Sequence, residues 1–176
     1  MSGDPAERNL HSIGVGGWVV RSDGQVLLVR MTYGPANGKL MIPGGHSDPD
    51  ELLGTTAARE VKEETGIDAV PRGILMVRQR LEAPGRRNLY FVLLMPPREG
   101  EAVADQTEVS EAIWVDPAEI VTRRDVQPIA AELAAAWLRS PRCCLAQREL
   151  TWQSSETYHL WAGEHGAPQL AAGDGG

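Results

Sequence analysis

Apolar residues in the first part of the chain recur at the spacing of β-strands. Val26–Met31 is a run of β-favouring residues, and residues 13–20 form a similar run that contains three glycines. Ser22-Asp23-Gly24 between the two runs is typical of a turn. The glycines indicate either close packing or a pocket lined by backbone, and packing is the interpretation we favour. Further strands are predicted at residues 40–43, around 74–77, at 88–95 and at 108–115, with a turn at 81–87 and an exposed loop at 96–107.

A helix is predicted between residues 48 and 66, because apolar positions there recur every fourth residue. Leu53, Ala57 and Val61 form one narrow stripe, which predicts a helix that packs by one side only. Pro49 suits a first-turn position, and acidic residues suit a helix start because the helix dipole favours negative charge there. Gly66 can adopt the left-handed conformation that ends a helix. The acidic residues at this predicted start are Asp48, Asp50 and Glu51.

Two more helices and a tail follow the last predicted strand. Asp116-Pro117 predicts a short capped helix, and residues 129–138 have the Ala and Leu content of another. Strands with flanking helices favour an α/β sandwich. Two β-rich pieces around Ser154-Ser155 predict either a hairpin or pairing with a second subunit, as in a homodimer. The expected division is a lead-in over residues 1–12, one domain over 13–140 and a partly disordered C-terminal extension over 141–176.

Composition narrows the classes of partner. The formal net charge of −7 in 176 residues argues against a general nucleic-acid binder, which normally has a basic surface. No apolar run approaches the length that spans a membrane, and the polar N-terminus does not resemble a signal peptide. Cys143 and Cys144 are adjacent and unsuited to an ordinary structural disulfide, so we expect a reducing, cytoplasmic location.

Three carboxylates mark one edge of the predicted helix. Glu60, Glu63 and Glu64 are related by i,i+3 and i,i+4 spacing, at which like charges destabilise an isolated helix. A hard cation would relieve this repulsion, and Mg²⁺ suits carboxylate, carbonyl and water oxygens better than zinc, which favours Cys and His. The alternative for such a short pattern is a solvated charged face.

The full spacing of this stretch resembles the signature of the Nudix hydrolases. The resemblance covers most of residues 13–125 and implies an α/β/α sandwich with a mixed central sheet. One departure is Asp50, where the family often has glycine before the first motif glutamate. The matching positions are Gly45, then Glu51 after five intervening residues, Arg59-Glu60-Val61 after seven more, Glu63-Glu64 after one, and Gly66-Ile67 after one.

The resemblance implies a set of roles for these residues. Glu63 and Glu64 would be ligands of Mg²⁺, for which Mn²⁺ is a possible substitute. Glu60 would be a metal ligand or the base that activates water, and Arg59 would orient the neighbouring carboxylates. The backbone carbonyl of Gly44 would be an extra ligand, and glycine suits that position because it lets the backbone come close to a metal or phosphate.

A further glutamate is expected near the last core strand. Nudix enzymes often recruit one from this region, so the resemblance implies that Glu108 or Glu111 is another metal ligand or the base. The base therefore stays open between the motif glutamate Glu60 and these two residues.

Substrate contacts are expected around the predicted hairpin that follows the helix. Guanidinium groups suit bidentate phosphate recognition, although charged hairpin ends are often only solvated. An aromatic ring on the second strand suits stacking on a base or ribose, or packing. The candidate substrate-binding residues are Arg78, Arg80, Arg87 and Tyr90.

The reaction implied by the resemblance is hydrolysis of a pyrophosphate bond. The leading substrate class is a nucleoside diphosphate linked to another moiety, such as ADP-ribose, a nucleotide sugar or a dinucleotide. A (d)NTP pyrophosphohydrolase that releases a monophosphate and pyrophosphate is the enzymatic alternative. A nucleotide-sensing module is the non-enzymatic alternative, and the complete set of motif residues argues against it.

Overall fold

The computed structural model describes residues 10–83, 86–140, 145–152 and 156–162. The predicted lead-in over residues 1–12 and the predicted disorder near the C-terminus lie mostly outside these ranges. Within them, no helix is both long enough and apolar enough to cross a membrane.

Groups of strands are separated by helices along the described part of the chain. The helices are α1 (Leu53–Thr65), α2 (Pro117–Thr122) and α3 (Pro128–Arg139), and a 3-10 turn spans Gly34–Ala36. The strands are β1 (Leu10–Val19), β2 (Val26–Met31), β3 (Leu40–Met41), β4 (Gly44–His46), β5 (Asp68–Ala69), β6 (Gly73–Ala83), β7 (Arg86–Met95), β8 (Pro97–Glu99), β9 (Val109–Val115), β10 (Leu145–Trp152) and β11 (Glu156–Ala162).

The central sheet is mixed. Its six strands lie in the order β11-β10-β6-β7-β1-β4. β1 runs parallel to β7 and antiparallel to β4, while β6 and β7 form an antiparallel pair. A second sheet has the order β3-β2-β9, and β5 pairs with β8. The arrangement confirms the predicted α/β class with a mixed central sheet.

Side chains of β1 enter two different cores because successive residues of a strand point to opposite faces. Val15 joins the core that contains Ala57 and Val61 of α1. Trp18 joins the core that contains residues of α2 and α3, including Ile120. All five side chains are fully buried. Helices therefore cover the sheets from two sides, as in a three-layer sandwich.

The start of α1 differs from the prediction. The helix begins at Leu53, its N-cap Leu52 makes no side-chain capping bond, and its first turn contains no acidic residue. Pro49 and Asp50 form a turn ahead of the helix. The end agrees with the prediction, since Gly66 is the C-cap with φ +71. The acidic residues predicted for the helix start therefore belong to the loop before α1. Glu51 is held there by hydrogen bonds from Arg59 of α1.

Several strand bounds also differ from the prediction. β1 begins at Leu10, so it includes residues assigned to the lead-in, and ten of its residues pair with β7. β6 continues through the predicted turn as far as Ala83, because β6 and β7 form one long antiparallel pair. The predicted loop at 96–107 contains the short strand β8. Val26–Met31 has the predicted bounds.

A two-stranded ribbon follows α3. β10 and β11 pair over seven residues, from Ala146 opposite Ala162 to Trp152 opposite Glu156. The ribbon joins the central sheet through two residue pairs, between Leu145 and Ile74 and between Ala146 and Gly73. The predicted pair of strands in this segment is therefore present, and its turn lies outside the described residues.

Candidate active site

Arg59 of α1 binds three carboxylates at once. Its Nε and Nη2 donate to the two oxygens of Glu51, each at 2.9 Å. Its Nη1 donates to Oε1 of Glu60 at 2.9 Å and to Oε2 of Glu63 at 3.0 Å. The bidentate pair with Arg59 lowers the pKa of Glu51 to about 2. Arg59 therefore connects the loop before α1 to two glutamates on the helix.

Glu51 is held from a second side as well. The hydroxyl of Thr56 donates to its Oε2 at 3.0 Å, and the hydroxyls of Thr56 and Ser47 lie 3.0 Å apart. Nη2 of Arg59 also donates to the carbonyl of His46 at 3.3 Å. The loop between β4 and α1 is thereby tied to the first turns of the helix.

The loop at Gly44-Gly45 packs directly on two of the helix glutamates. The amide of Gly44 donates to Oε2 of Glu64 at 2.9 Å. A Cβ at position 45 would lie 2.5 Å from Oε1 of Glu60, so only glycine leaves room for that carboxylate. Gly44 has φ +152, and a Cβ there would collide with the carbonyl of Val15. The glycines thus allow backbone and carboxylates to meet.

Burial disfavours the charged forms of the two inner glutamates. Glu64 is 3% exposed, and this burial raises its pKa to about 8, although the amide of Gly44 opposes the shift. Burial also raises the pKa of Glu60, which the charge of Arg59 opposes. The negative charges of Glu108 and Asp105 raise the pKa of Glu64 further. Ionisation of both glutamates would therefore give the site more negative charge than Arg59 balances.

Glu108 reaches the same site from the loop before β9. It raises the pKa of both Glu60 and Glu64 by charge repulsion. The hydroxyl of Tyr33 donates to its Oε2 at 3.2 Å. Asp105 accepts from the amides of residues 107, 108 and 109, at 2.9 to 3.1 Å through Oδ1, and so shapes the loop that carries Glu108.

Glu111 is engaged elsewhere. Its Oε2 accepts from Nε of Arg30 at 2.9 Å, and Arg30 also pairs with Asp125 at 3.2 Å. Of the two glutamates considered from the sequence, the structure brings Glu108 rather than Glu111 to the motif glutamates. Glu111 lies within β9, where it pairs with Arg30 of β2, whereas Glu108 lies in the loop before that strand.

A cavity of about 310 Å³ opens beside the Gly44-Gly45 loop. Arg78, Arg80 and Tyr90, three of the four substrate contacts proposed from the sequence, line it, whereas Arg87 is exposed and does not line it. Arg87 is the second residue of β7 and pairs with Leu81 of β6. The other lining residues are Gly14, Met31, Tyr33, Pro35, Met41, Gly44, Gly45, His46 and Asn88.

Tyr90 also explains two glycines of β1. Its ring lies across the strand, so that a Cβ at Gly14 would meet the ring at 2.6 Å and a Cβ at Gly16 would collide with its hydroxyl. A Cβ at Gly17 would lie 2.6 Å from Val61 on the opposite face. Close packing therefore accounts for these glycines, and Gly14 also lines the cavity.

The donor set fits a hard divalent cation. Glu60, Glu64 and Glu108 repel one another, and oxygen donors with unbalanced negative charge suit Mg²⁺ or a similar ion. Among residues 10–83, 86–140 and the two ribbon strands, no three His, Cys, Asp or Glu side chains already stand close enough to surround an ion. Glu63 in particular is 60% exposed and turned towards Arg59. Binding would therefore require this outer carboxylate to move.

Several residues of the site were not found from the sequence, among them Asn88, Tyr33 and Asp105. Asn88 and Tyr33 line the cavity, and Asp105 shapes the Glu108 loop. Asp105 had a local signal, since an Asp two residues before Thr107 is typical of an Asx-turn. Tyr33 and Asn88 had none, because their positions follow from how the segment after β2 and the strand β7 pack against distant parts of the chain.

A family profile described as NUDIX domain matches residues 10–137. Nucleoside diphosphate-linked moiety X motif 6 of Homo sapiens is 31% identical over 127 residues, covering 70% of this chain and 40% of that protein. The MutT-like protein of Streptomyces ambofaciens is 32% identical over 114 residues, covering 65% of this chain and 70% of that protein. The chain thus spans well under half the length of the human relative.

Solved structures resemble the same region. The crystal structure of a MutT protein from Methanosarcina mazei Go1 superposes with a TM-score of 0.63 at 26% identity. The match covers 76% of this chain and 97% of that one. The layered arrangement described above is therefore shared with a solved protein over nearly that protein's whole length.

Proposed function

This chain belongs to the Nudix family, and from that membership we propose that it hydrolyses the pyrophosphate bond of a nucleoside diphosphate linked to another moiety. The observation that carries the proposal is Glu64, a carboxylate buried beside Glu60 under the Gly44-Gly45 loop. Burying a carboxylate without a cationic partner is costly, and a metal-bound diphosphate would offset that cost. The name of the human relative also describes a nucleoside diphosphate-linked moiety.

The Nudix family generally uses divalent cations, and we assign Mg²⁺ here, with Mn²⁺ as a substitute. The residues that would hold the ion are Glu60, Glu63, Glu64, Glu108 and the carbonyl of Gly44. When bound, Mg²⁺ polarises phosphoryl oxygens and lowers the pKa of bound water. Its charge would also allow an anionic substrate to approach a chain with a net charge of −7.

Arg59 supports the chemistry by holding carboxylates in place. Its bonds to Glu60 and Glu63 start from one nitrogen, while Glu51 fixes the other side of the guanidinium. We assign proton acceptance from the attacking water to Glu60. Oε1 of Glu60 accepts a hydrogen bond from Arg59. Oε2 of Glu60 has no hydrogen bond within the part of the chain that the structure describes, so Oε2 is the oxygen that can accept the proton.

Glu108 is the alternative acceptor. It is more exposed than Glu60 and accepts a hydrogen bond from Tyr33, a residue that lines the cavity. The substrate is a small nucleotide-type molecule in either case, and the cavity lined by Arg78, Arg80 and Tyr90 is the place we assign to it.

The adjacent cysteines support the proposed cytoplasmic location, and a homodimer remains part of the proposal.

A substrate panel with product analysis tests the function. Purified protein with Mg²⁺ is given ADP-ribose, nucleotide sugars, dinucleoside polyphosphates and nucleoside triphosphates, and products are separated by ion-exchange chromatography. We expect two monophosphate products from a diphosphate-linked substrate, and no turnover in the double variant Glu63→Gln, Glu64→Gln. Glu132→Gln on the exposed side of α3 is the matched control. Preferred release of pyrophosphate from triphosphates would reject the substrate class, and turnover by the double variant would reject the site.

A further inference from the structure

Asn88 is a buried polar residue in the centre of a short hydrogen-bonded chain. It is 3% exposed. Its Oδ1 accepts from Nη2 of Arg78 on β6, and its Nδ2 donates to the hydroxyl of Ser12 on β1 at 3.0 Å. Asn88 is on β7, which lies between β6 and β1 in the sheet. Asn88 therefore joins three neighbouring strands through side chains, in addition to their backbone pairing.

Arg78 is fixed from a second direction by Tyr90. The centre of its guanidinium lies 5.0 Å from the centroid of the Tyr90 ring, within the range of a cation–π contact. The two side chains stand opposite each other in the β6–β7 register. A long, flexible side chain is thus held in one orientation at a cavity wall, which reduces the entropy it loses when it binds a ligand.

Two hydrogen-bonding groups at this cavity wall have no partner within the described residues. Nε of Arg78 and the hydroxyl of Tyr90 are both buried and have no partner there. Such groups are rare in folded proteins because each leaves a desolvated donor unpaired. The two unpaired groups lie on neighbouring side chains that line the same cavity.

The cavity connects this wall to the motif loop. Gly44 and Gly45 line it together with Arg78 and Asn88, and the same two glycines contact Glu64 and Glu60. Met31 and Met41 add apolar side chains to the lining, and Tyr33 adds an aromatic ring. A ligand whose anionic group is held at the glutamates by a cation would therefore extend through the cavity towards the fixed guanidinium of Arg78.

We propose that Arg78 binds a phosphate of the nucleotide substrate and that Asn88 is the positioning residue that holds Arg78 in its binding orientation. The inference rests on the proposed function and extends it to a residue outside the motif. Arginine is suited to this role because its planar donors match phosphate oxygens. Asn88 acts through the hydrogen bond that it accepts from Arg78.

A purely structural role for Asn88 predicts a different pattern. If the residue only joined strands, its loss would lower stability and leave the affinity of the folded protein for phosphate unchanged. If it positions Arg78, its loss would weaken phosphate binding to the same extent as the loss of Arg78. The two losses would then not add, because both remove one interaction.

Equilibrium binding separates these possibilities without requiring turnover. Isothermal titration of the full chain with Mg²⁺ uses methylenediphosphonate, α,β-methylene-ADP and adenosine as probes. The variants are Arg78→Gln, Asn88→Leu, their combination and Asn88→Asp, which keeps an oxygen acceptor for Arg78. Arg98→Gln is the control, since Arg98 lines a different cavity. Thermal melting of each variant shows whether it is folded.

We expect Arg78→Gln and Asn88→Leu each to weaken binding of both phosphonate probes about tenfold, as for one lost charge-assisted hydrogen bond. The double variant should be no weaker than Arg78→Gln alone, Asn88→Asp should retain more affinity than Asn88→Leu, and Arg98→Gln should bind as the wild type does. Equal loss of adenosine binding, additive effects, or no binding of methylenediphosphonate by the wild type would overturn the proposal.

Substrate turnover provides the separate check on the proposed function. In the same variants, the proposal predicts a higher KM with kcat changed by less than about threefold, because ground-state binding is what Arg78 supplies. Should the wild type bind the phosphonates with this pattern yet cleave nothing in the panel, the function fails and the phosphate site stands. Should it cleave substrates while the variants bind normally, the phosphate site fails and the function stands.

Discussion

The amide of Gly44 donates a hydrogen bond of 2.9 Å to Oε2 of Glu64, which joins the motif loop to a carboxylate that is 3% exposed. Gly45 beside it leaves space for Glu60, so two consecutive glycines contact two glutamates one helical turn apart. Backbone and carboxylates thus form one structural unit. The loop has no freedom to move away from the helix without exposing or unpairing Glu64.

Stability should fall as pH rises, because of Glu64. Its pKa is about 8 in the folded protein and about 4.3 in an unfolded chain, so the folded state holds this proton more tightly. The favourable contribution is complete below about pH 4 and is lost as pH rises through 8. We expect the melting temperature of metal-free protein to fall between pH 5.5 and 8.5, and to fall less in Glu64→Gln.

Addition of Mg²⁺ provides the complementary measurement. The ion binds the ionised carboxylate, so it should raise the melting temperature more at pH 8.5 than at pH 5.5. In Glu64→Gln the gain should be small at both values. Equal pH dependence of wild type and variant would show that Glu64 is not the group responsible.

Arg59→Lys should lower both stability and activity. A lysine amine cannot bind both oxygens of Glu51 and also reach Glu60 and Glu63. We expect kcat to fall by about 10- to 100-fold and the free energy of unfolding to fall by about 2 kcal/mol. Arg123→Lys is the matched control, because Arg123 also pairs with two carboxylates but lies outside the site. A normal kcat in Arg59→Lys would contradict the orienting role.

Glu108→Gln and Glu111→Gln should differ in their effect on turnover. Glu108 interacts with Glu60 and Glu64 by charge, whereas Glu111 is paired with Arg30. We expect kcat with Mg²⁺ to fall at least about tenfold in Glu108→Gln and to stay within about twofold in Glu111→Gln. The reverse order of effects would exclude Glu108 from the site.

Gly45→Ala should impair activity more than folding. The added Cβ would lie 2.5 Å from Oε1 of Glu60 and would push that carboxylate away from its position. We expect kcat to fall at least about tenfold, as when a supporting contact of a metal site is lost. Gly24→Ala is a useful comparison, since Gly24 has φ +87 but open space around it, so it should lose about 1 kcal/mol of stability and no activity. Unchanged kcat in Gly45→Ala would argue against a role for Glu60.

The sequence predicts those parts of the fold that local physics decides. The strand Val26–Met31 has the predicted bounds, and Gly66 ends α1 in the left-handed conformation, because the signal for each lies in neighbouring residues. The helix start was wrong because it is decided by a contact between distant positions. Arg59 draws Glu51 into a loop and so removes it from the first turn.

The same distinction holds for the site. Spacing placed the glutamates on one edge of α1, and it also indicated a glycine loop next to them. Asn88 carried no such signal, since a polar residue in a strand is ordinarily solvent-exposed and only the packing of β1, β6 and β7 reveals its burial. Arg87 and Arg78 look equivalent in the sequence, yet only Arg78 lines the cavity.

The ribbon of β10 and β11 meets the central sheet at Gly73 and Ile74, whereas the cavity begins at Arg78 on the same strand. Four residues of extended chain separate the two by about 13 Å. A fluorophore or an immobilising linker attached to the ribbon would thus report on the molecule, or anchor it to a surface, without obstructing the entry of small molecules.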